Sequence, residues 1–227
     1  MTYIDDKDLQ TGMKIFLDTA DTEIIGKHSH SGLIDGVTTN PTLIRKSGRN
    51  PEIVYQEIKD IGIQDISMEV IGDAGNMISE GKRLYKKYGK VATIKVPCTP
   101  NGLFACKELS DNGINVNVTL IFSQSQAILA AKAGATYVSP FVGRVDDNSF
   151  GGLCLVKDIA KVYNVHGVET QVLAASLRGI RDVGRAFEYG ADIVTMPPNV
   201  FEGMYKHILT EKGLDLFDKD YEASIRE

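Results

Sequence analysis

Lys95 sits near the end of a short apolar run, Val91-Ala92-Thr93-Ile94-Lys95-Val96-Pro97. Alternation along an extended strand puts Val91, Thr93 and Lys95 on one face and Ala92, Ile94 and Val96 on the other. A lysine turned into an enclosed mouth loses hydration, which lowers its pKa and frees the amine to attack carbonyl carbons. The alternative is a lysine at a strand tip whose ammonium reaches back to water. Other apolar runs are interrupted in the same way. Asp18 ends the first, Thr38, Thr39 and Asn40 the second, Glu69 the third, Asn117 and Thr119 the fifth and Ser139 the sixth, while Ser176 follows the seventh. Asp18 or Glu69 alone reads as a helix cap or an ion-pair partner. With Lys95, the two carboxyls and the surrounding amides and hydroxyls make an acid/base set suited to a polyol.

For these residues to meet, the runs that carry them must lie side by side. Strand-like runs occupy 15–18, 36–39, 66–71, 91–96, 115–121, 137–141, 170–175 and 192–196. Stretches of helical period follow them at about 21–31, 51–61, 74–88, 101–112, 123–133, 153–163, 180–189 and 200–209. Gly62, Gly89, Gly113, Gly134 and Gly190 supply stop signals, and Asp21, Asn50 and Ser123 supply starts. Eight such units predict a compact α/β fold, a single (β/α)8 TIM barrel, whose chemistry gathers at the C-terminal ends of its strands. A doubly wound open sheet would instead show a glycine-rich phosphate loop after an early strand, and neither G-x-G-x-x-G nor G-x-x-x-x-G-K-[ST] occurs. Residues 1–12 lack a clear period and read as a dispensable or non-native extension, 13–212 as the barrel, and 213–227 as an extra helix.

Composition narrows the function. The 227 residues carry 25 Lys+Arg against 30 Asp+Glu, a net charge of −5, and 43% are hydrophobic. That balance excludes a disordered chain. A pI of about 5.5 argues against nucleic-acid or membrane-surface partners, which need a positive field. The basic cluster Lys82, Arg83, Lys86, Lys87 and Lys90 fits a solvated helix end, where cations complement the helix dipole. Cys98, Cys106 and Cys154 form no C-x-x-C pair, His28, His30, His166 and His207 form no ligand set, and Asp146-Asp147 fits an exposed loop after the sixth strand. No metal site is spelled. No apolar stretch approaches the roughly 20 residues of a membrane span, and the polar N-terminus lacks a signal-peptide layout. The expected location is cytoplasmic.

Six separated segments carry a family likeness: Phe16-Leu17-Asp18-Thr19-Ala20, Gly36-Val37-Thr38-Thr39-Asn40-Pro41-Thr42-Leu43-Ile44, Ile94-Lys95-Val96-Pro97 with Thr99, Asn117 to Ser123, Ser139 to Arg144, and Ala174-Ala175-Ser176. Together they closely resemble the transaldolase family, in the small bacterial-type branch that also contains the fructose-6-phosphate aldolases. The likeness runs from Met13 to about Lys219. It implies a cofactor-free transfer of a dihydroxyacetone unit between sugar phosphates. By resemblance Lys95 is the Schiff-base lysine, Asp18 the acid/base at the C4 hydroxyl, and Glu69 with Thr119 the pair that handles water. Thr38, Asn40, Asn117 and Ser139 would hold sugar hydroxyls, and Arg144, Ser176 and Arg178 the phosphate. Taken alone, Arg144 would pair with Asp146 or Asp147. Beside Ser176-Leu177-Arg178 a phosphate role is favoured, since arginine forks match its oxygens and Ser176, just before a helix, adds N-terminal amides.

The fructose-6-phosphate aldolases of that branch usually carry Gln where this sequence has Glu69, and Tyr where it has Phe141. Both positions point to transfer: sedoheptulose 7-phosphate plus glyceraldehyde 3-phosphate giving erythrose 4-phosphate plus fructose 6-phosphate, in the pentose phosphate pathway. An aldolase, or a catalytically silent sugar-phosphate binder on the same barrel, is the alternative. From Gly213 the tail places Leu214, Phe217, Tyr221 and Ile225 at helical spacing. Such a stripe needs an apolar partner, either its own barrel or a second copy. The resemblance implies a homo-oligomer, a pentamer or a decamer, joined through that helix.

Overall fold

The structure is a computed structural model that describes residues 12–225. Apart from Gly12, the expected N-terminal extension lies outside the described residues. In chain order the first half comprises β1 (Lys14–Asp18), α1 (Thr22–Ser29), β2 (Gly36–Thr38), α2 (Pro41–Ser47), α3 (Pro51–Asp60), β3 (Ile66–Glu69), α4 (Ala74–Tyr88), β4 (Ala92–Pro97), α5 (Pro100–Asp111) and β5 (Val116–Ile121). It continues with α6 (Gln124–Lys132), β6 (Tyr137–Pro140), α7 (Val142–Asp147), α8 (Gly152–His166), β7 (Gln171–Ala174), α9 (Ile180–Glu188), β8 (Ile193–Met196), α10 (Pro198–Gly203) and α11 (Ile208–Ser224). The strands pair in parallel and in sequence order, and β8 returns to β1 to close an eight-stranded barrel. This is the (β/α)8 barrel that the alternation predicts.

Local chemistry explains the alternation. The strands are short runs rich in Val, Ile and Thr, and several helices begin where a polar side chain takes over orphan amides. Asp21 accepts from the amides of Glu23 and Ile24, Asn50 from Glu52, Asp73 from Asn76, Thr99 from Gly102 and Ser123 from Gln126. Proline stands in the first turn of α2, α3, α5 and α10, where its missing N–H costs nothing.

Several expectations are corrected. Val91 lies in a 3-10 turn, Gly89–Val91, rather than in β4. Two short helices, α2 and α7, follow strand ends directly, so Asp146 and Asp147 are helical and not in a loop. The stretch expected as one helix over 200–209 breaks between α10 and α11, so the terminal helix begins at Ile208 instead of Gly213. No residue of α11 is buried, and Leu214, Phe217 and Tyr221 stand exposed. The basic cluster of α4 is partly neutralised, with Arg83 paired to Glu52 and Glu80 and Lys87 to Glu52.

Inside the barrel, the inward-facing side chains are of two kinds. Phe16, Tyr137, Leu173, Ala175 and Ile193 form an apolar cluster with half-buried Phe141 against it. The Phe16 ring meets Tyr137 edge-on with centroids 6.3 Å apart. It also requires Gly36 on the next strand, since a Cβ there would lie 2.7 Å from the ring. Ser67, Thr93, Lys95, Asn117, Thr119, Ser139, Thr38 and Thr195 make up the polar part. At the floor, the Tyr137 hydroxyl donates to Asp65 at 2.6 Å. Burial holds the Asp65 carboxyl above its ordinary pKa.

Candidate active site

Parallel register brings the charged residues together. Glu69 on β3 aligns with Lys95 on β4, and Lys95 aligns with Asn117 on β5. Lys95 Nζ lies 3.1 Å from Glu69 Oε2 and donates to the Thr39 carbonyl at 3.0 Å, with its side chain only 6% exposed. The lysine is held inside the mouth, not extended to water. The Thr39 hydroxyl turns away and donates to the Ser67 carbonyl, so Thr39 meets Lys95 through its backbone alone.

Asp18, at the end of β1, accepts a hydrogen bond from the Thr38 hydroxyl at 2.8 Å. Its residue surface opens partly to the cavity, yet loss of hydration around the carboxyl raises its pKa. The Thr38 hydrogen bond and the charge of Lys95 act the other way, while the charge of Glu69 adds to the rise. Asn117 is held from both sides: Ser139 donates to its Oδ1 at 2.7 Å, and its Nδ2 donates to the Ser67 hydroxyl at 3.2 Å. Asn40 caps α2 by accepting from the Leu43 amide at 3.0 Å, so its free NH2 is what it offers the cavity. Thr119 is buried, and its hydroxyl meets no hydrogen-bond partner among the described residues. It adjoins an irregularity in β5, where the pairing register shifts between Val118 and Ile121 and Leu120 has φ 59°.

A cavity of about 120 Å³ at the C-terminal end of the barrel is lined by Asp18, Thr38, Asn40, Lys95, Asn117, Ser139, Phe141, Arg144, Ala175, Ser176 and Thr195. Typical ligand pockets hold roughly 300–1,000 Å³, so this one encloses a small fragment and leaves the rest of a larger ligand toward the mouth. Most of the residues singled out in the sequence converge here, with Glu69 joined through Lys95. Thr119 is not part of the lining. Arg178 is not part of it either: its exposed guanidinium forks onto Asp147. Arg144 makes the opposite choice to the pairing considered for it alone, lying over the Phe141 ring at 4.9 Å from the centroid. Ser176 does not begin a helix, because α9 starts at Ile180 behind the cap Gly179. It has φ 61°, a conformation that costs a non-glycine residue on the order of 1–3 kcal/mol and concentrates at functional sites.

Two lining residues escaped the sequence reading. Ala175 has no polar atom in its side chain to flag it. Thr195 shares the inward face of β8 with Ile193, and a β-branched threonine in a strand looks ordinary. A larger open cleft of about 660 Å³, lined by residues that include Lys157, Glu169, Gln171 and Asp192, lies where β7 and β8 begin. Barrel chemistry occupies the other face.

The sequence model described as Transaldolase/Fructose-6-phosphate aldolase matches residues 15–227. The chain belongs to this transaldolase/fructose-6-phosphate aldolase family. Relatives bearing the name "Probable transaldolase" agree with the family match. One from Caulobacter vibrioides (strain NA1000 / CB15N) is 52% identical over 213 residues, covering 93% of this chain and 98% of the relative. Another, from Nitrosopumilus maritimus (strain SCM1), is 50% identical over 212 residues, covering 92% and 95% respectively. A third, from Ruegeria pomeroyi, is 49% identical over 213 residues.

In this family member the raised pKa of Asp18 makes a statement about stability. A carboxyl whose folded pKa exceeds its ordinary value of 3.8 favours the fold most below that value, and loses that contribution as pH rises through the folded pKa. Asp18→Asn removes the buried charge while Glu69 still answers Lys95. At neutral pH its thermal midpoint is expected to rise by about a few degrees, with the difference shrinking as pH falls through the raised folded pKa and levelling off below 3.8. A lower midpoint than wild type at pH 7 contradicts this account.

Proposed function

We propose that the protein is a transaldolase that carries a dihydroxyacetone unit on Lys95 between sugar phosphates in the pentose phosphate pathway. The observation that carries the reading is the enclosure of Lys95 Nζ beside Glu69 at 3.1 Å, in a cavity shared with Asp18. Glu69 accepts a proton from the lysine as its nitrogen attacks C2 of the ketose. Loss of water from the resulting carbinolamine gives the protonated imine, and Glu69 with the unpartnered hydroxyl of Thr119 handles that water. Asp18 takes the proton of the C4 hydroxyl, the C3–C4 bond breaks, and its electrons pass into the imine as an enamine while an aldehyde departs. An acceptor aldehyde then runs the sequence backwards: its carbonyl carbon bonds to C3, Asp18 returns the proton, and water releases the ketose.

Asn40, Asn117, Ser139 and Thr38 supply partners for the sugar hydroxyls. Arg144 and Ser176 lie at the mouth to receive phosphate. Arg178 joins them by exchanging Asp147 for the anion, since an exposed, solvent-screened ion pair holds only weakly. Phe141 has no hydroxyl with which to bring water to the enamine, which favours transfer over release of free dihydroxyacetone.

The cysteines at 98, 106 and 154 are free thiols, which fits a reducing cytoplasm, and no described helix is long and apolar enough to cross a membrane. The exposed apolar residues of α11 fit a homo-oligomer, a pentamer or decamer in which the helix packs on a second copy.

Three experiments test the reading. Borohydride reduction in the presence of fructose 6-phosphate should leave a dihydroxyacetone-sized adduct on the Lys95 peptide and none on Lys95→Ala. An unmodified wild-type peptide removes the covalent mechanism and leaves a binder. Cleavage of fructose 6-phosphate should depend on an added aldehyde, and Phe141→Tyr should increase acceptor-free cleavage by roughly tenfold or more, within the range of general acid–base effects; equal acceptor-free rates for the two proteins refute the role given to Phe141. Sedimentation should give a multiple of the chain mass, and a monomer overturns the assembly.

A further inference from the structure

Beneath Asp18 lies a second threonine for which the reaction scheme has no role. β1 is flanked by β2 and β8, with Asp18 in register with Thr38 and Phe16 with Thr195. The barrel's stagger brings the two threonine hydroxyls together at 2.6 Å, and both residues are buried. Each hydroxyl has one proton to give and two lone pairs. Thr38 gives its proton to Asp18 Oδ1 at 2.8 Å. With Asp18 ionised, the short contact with Thr195 has a single consistent polarity, in which Thr195 donates and Thr38 accepts. The result is a directed chain of two hydroxyls that ends on the carboxylate, and each link strengthens the next.

We propose that Thr195 is a positioning residue that acts through Thr38, orienting its hydroxyl onto Asp18 and so holding that carboxylate ionised and aimed into the cavity. The inference rests on the acid/base role assigned to Asp18 above. Few other groups can set the ionisation of Asp18. Lys95 from β4 and Glu69 from β3 act on it by charge in opposite directions, and Arg144 from α7 lines the same cavity. A substitution at 195 alters none of these charges. Threonine is needed only for its hydroxyl, since valine keeps the shape and strand preference and serine keeps the oxygen.

The test compares Thr195→Val and Thr195→Ser with the wild-type protein. NMR titration of the aspartate carboxyls, with Asp18 assigned from the Asp18→Asn spectrum, reads the effect without substrate. Thr195→Val should move the Asp18 titration upward by about half a pH unit or more, with Thr195→Ser close to wild type. The acid limb of kcat against pH should move with it. An unmoved Asp18 titration in Thr195→Val overturns the proposal, as does a serine variant that shifts as far as valine. A higher KM with an unmoved acid limb does so too, since it marks a plain substrate contact. Borohydride trapping at Lys95 in the same proteins separates the two ideas. Loss of the adduct from wild type defeats the Schiff-base reading, while a normal adduct with no titration shift defeats only the role of Thr195.

Discussion

An ammonium group placed inside a protein must be answered by charge and by acceptors, because removing it from water costs several kcal/mol. Lys95 is answered by the Glu69 carboxylate and the Thr39 carbonyl, which approach from β3 and from the end of β2. Both depend on register. A slip of one residue between β3 and β4 would turn either Glu69 or Lys95 to the opposite face and strand the other's charge. Closure of the barrel excludes such a slip by fixing every strand against two neighbours. Cohesion of the fold and placement of the buried ammonium are thus the same constraint seen from two sides.

Much of this was legible because a barrel interior sets a strict background. Against runs of Val and Ile, an interrupting Lys95, Asp18 or Glu69 stands out, and the switch between strand and helix periods marks the units that bring them together. What stayed hidden has physical reasons. Asn40-Pro41 is a cap followed by a first-turn proline, so the signal for α2 was present, but only one helix was expected after each strand. Thr195 is camouflaged by its own β-branching. The pairing of Arg178 with Asp147 joins the loop after β7 to the end of α7, and no local pattern encodes which of two neighbouring arginines takes a given carboxylate.

That choice shapes the electrostatics of the mouth. The protein has a net charge of −5 and the family's substrates are anions, so a local positive surface has to survive amid repulsion. Arg178 occupies Asp147, which leaves Arg144 on the aromatic face of Phe141 and turned to the cavity. Phe141 is itself braced edge-on by Phe122 at 5.9 Å. Two neighbouring cations are thus divided between an acid and an aromatic face.

The division of the barrel interior into a polar part and an apolar cluster around Phe16 also bears on how such an enzyme could diverge. The cluster reaches the cavity at Ala175 and Phe141, whereas Asp18, Glu69 and Lys95 stand at or near the ends of β1, β3 and β4. A change of bulk at Ala175 would remodel the room around a ligand while leaving those three ionisable groups in place. Evolution could explore new ligand shapes on that wall without rebuilding the buried ionisable residues each time.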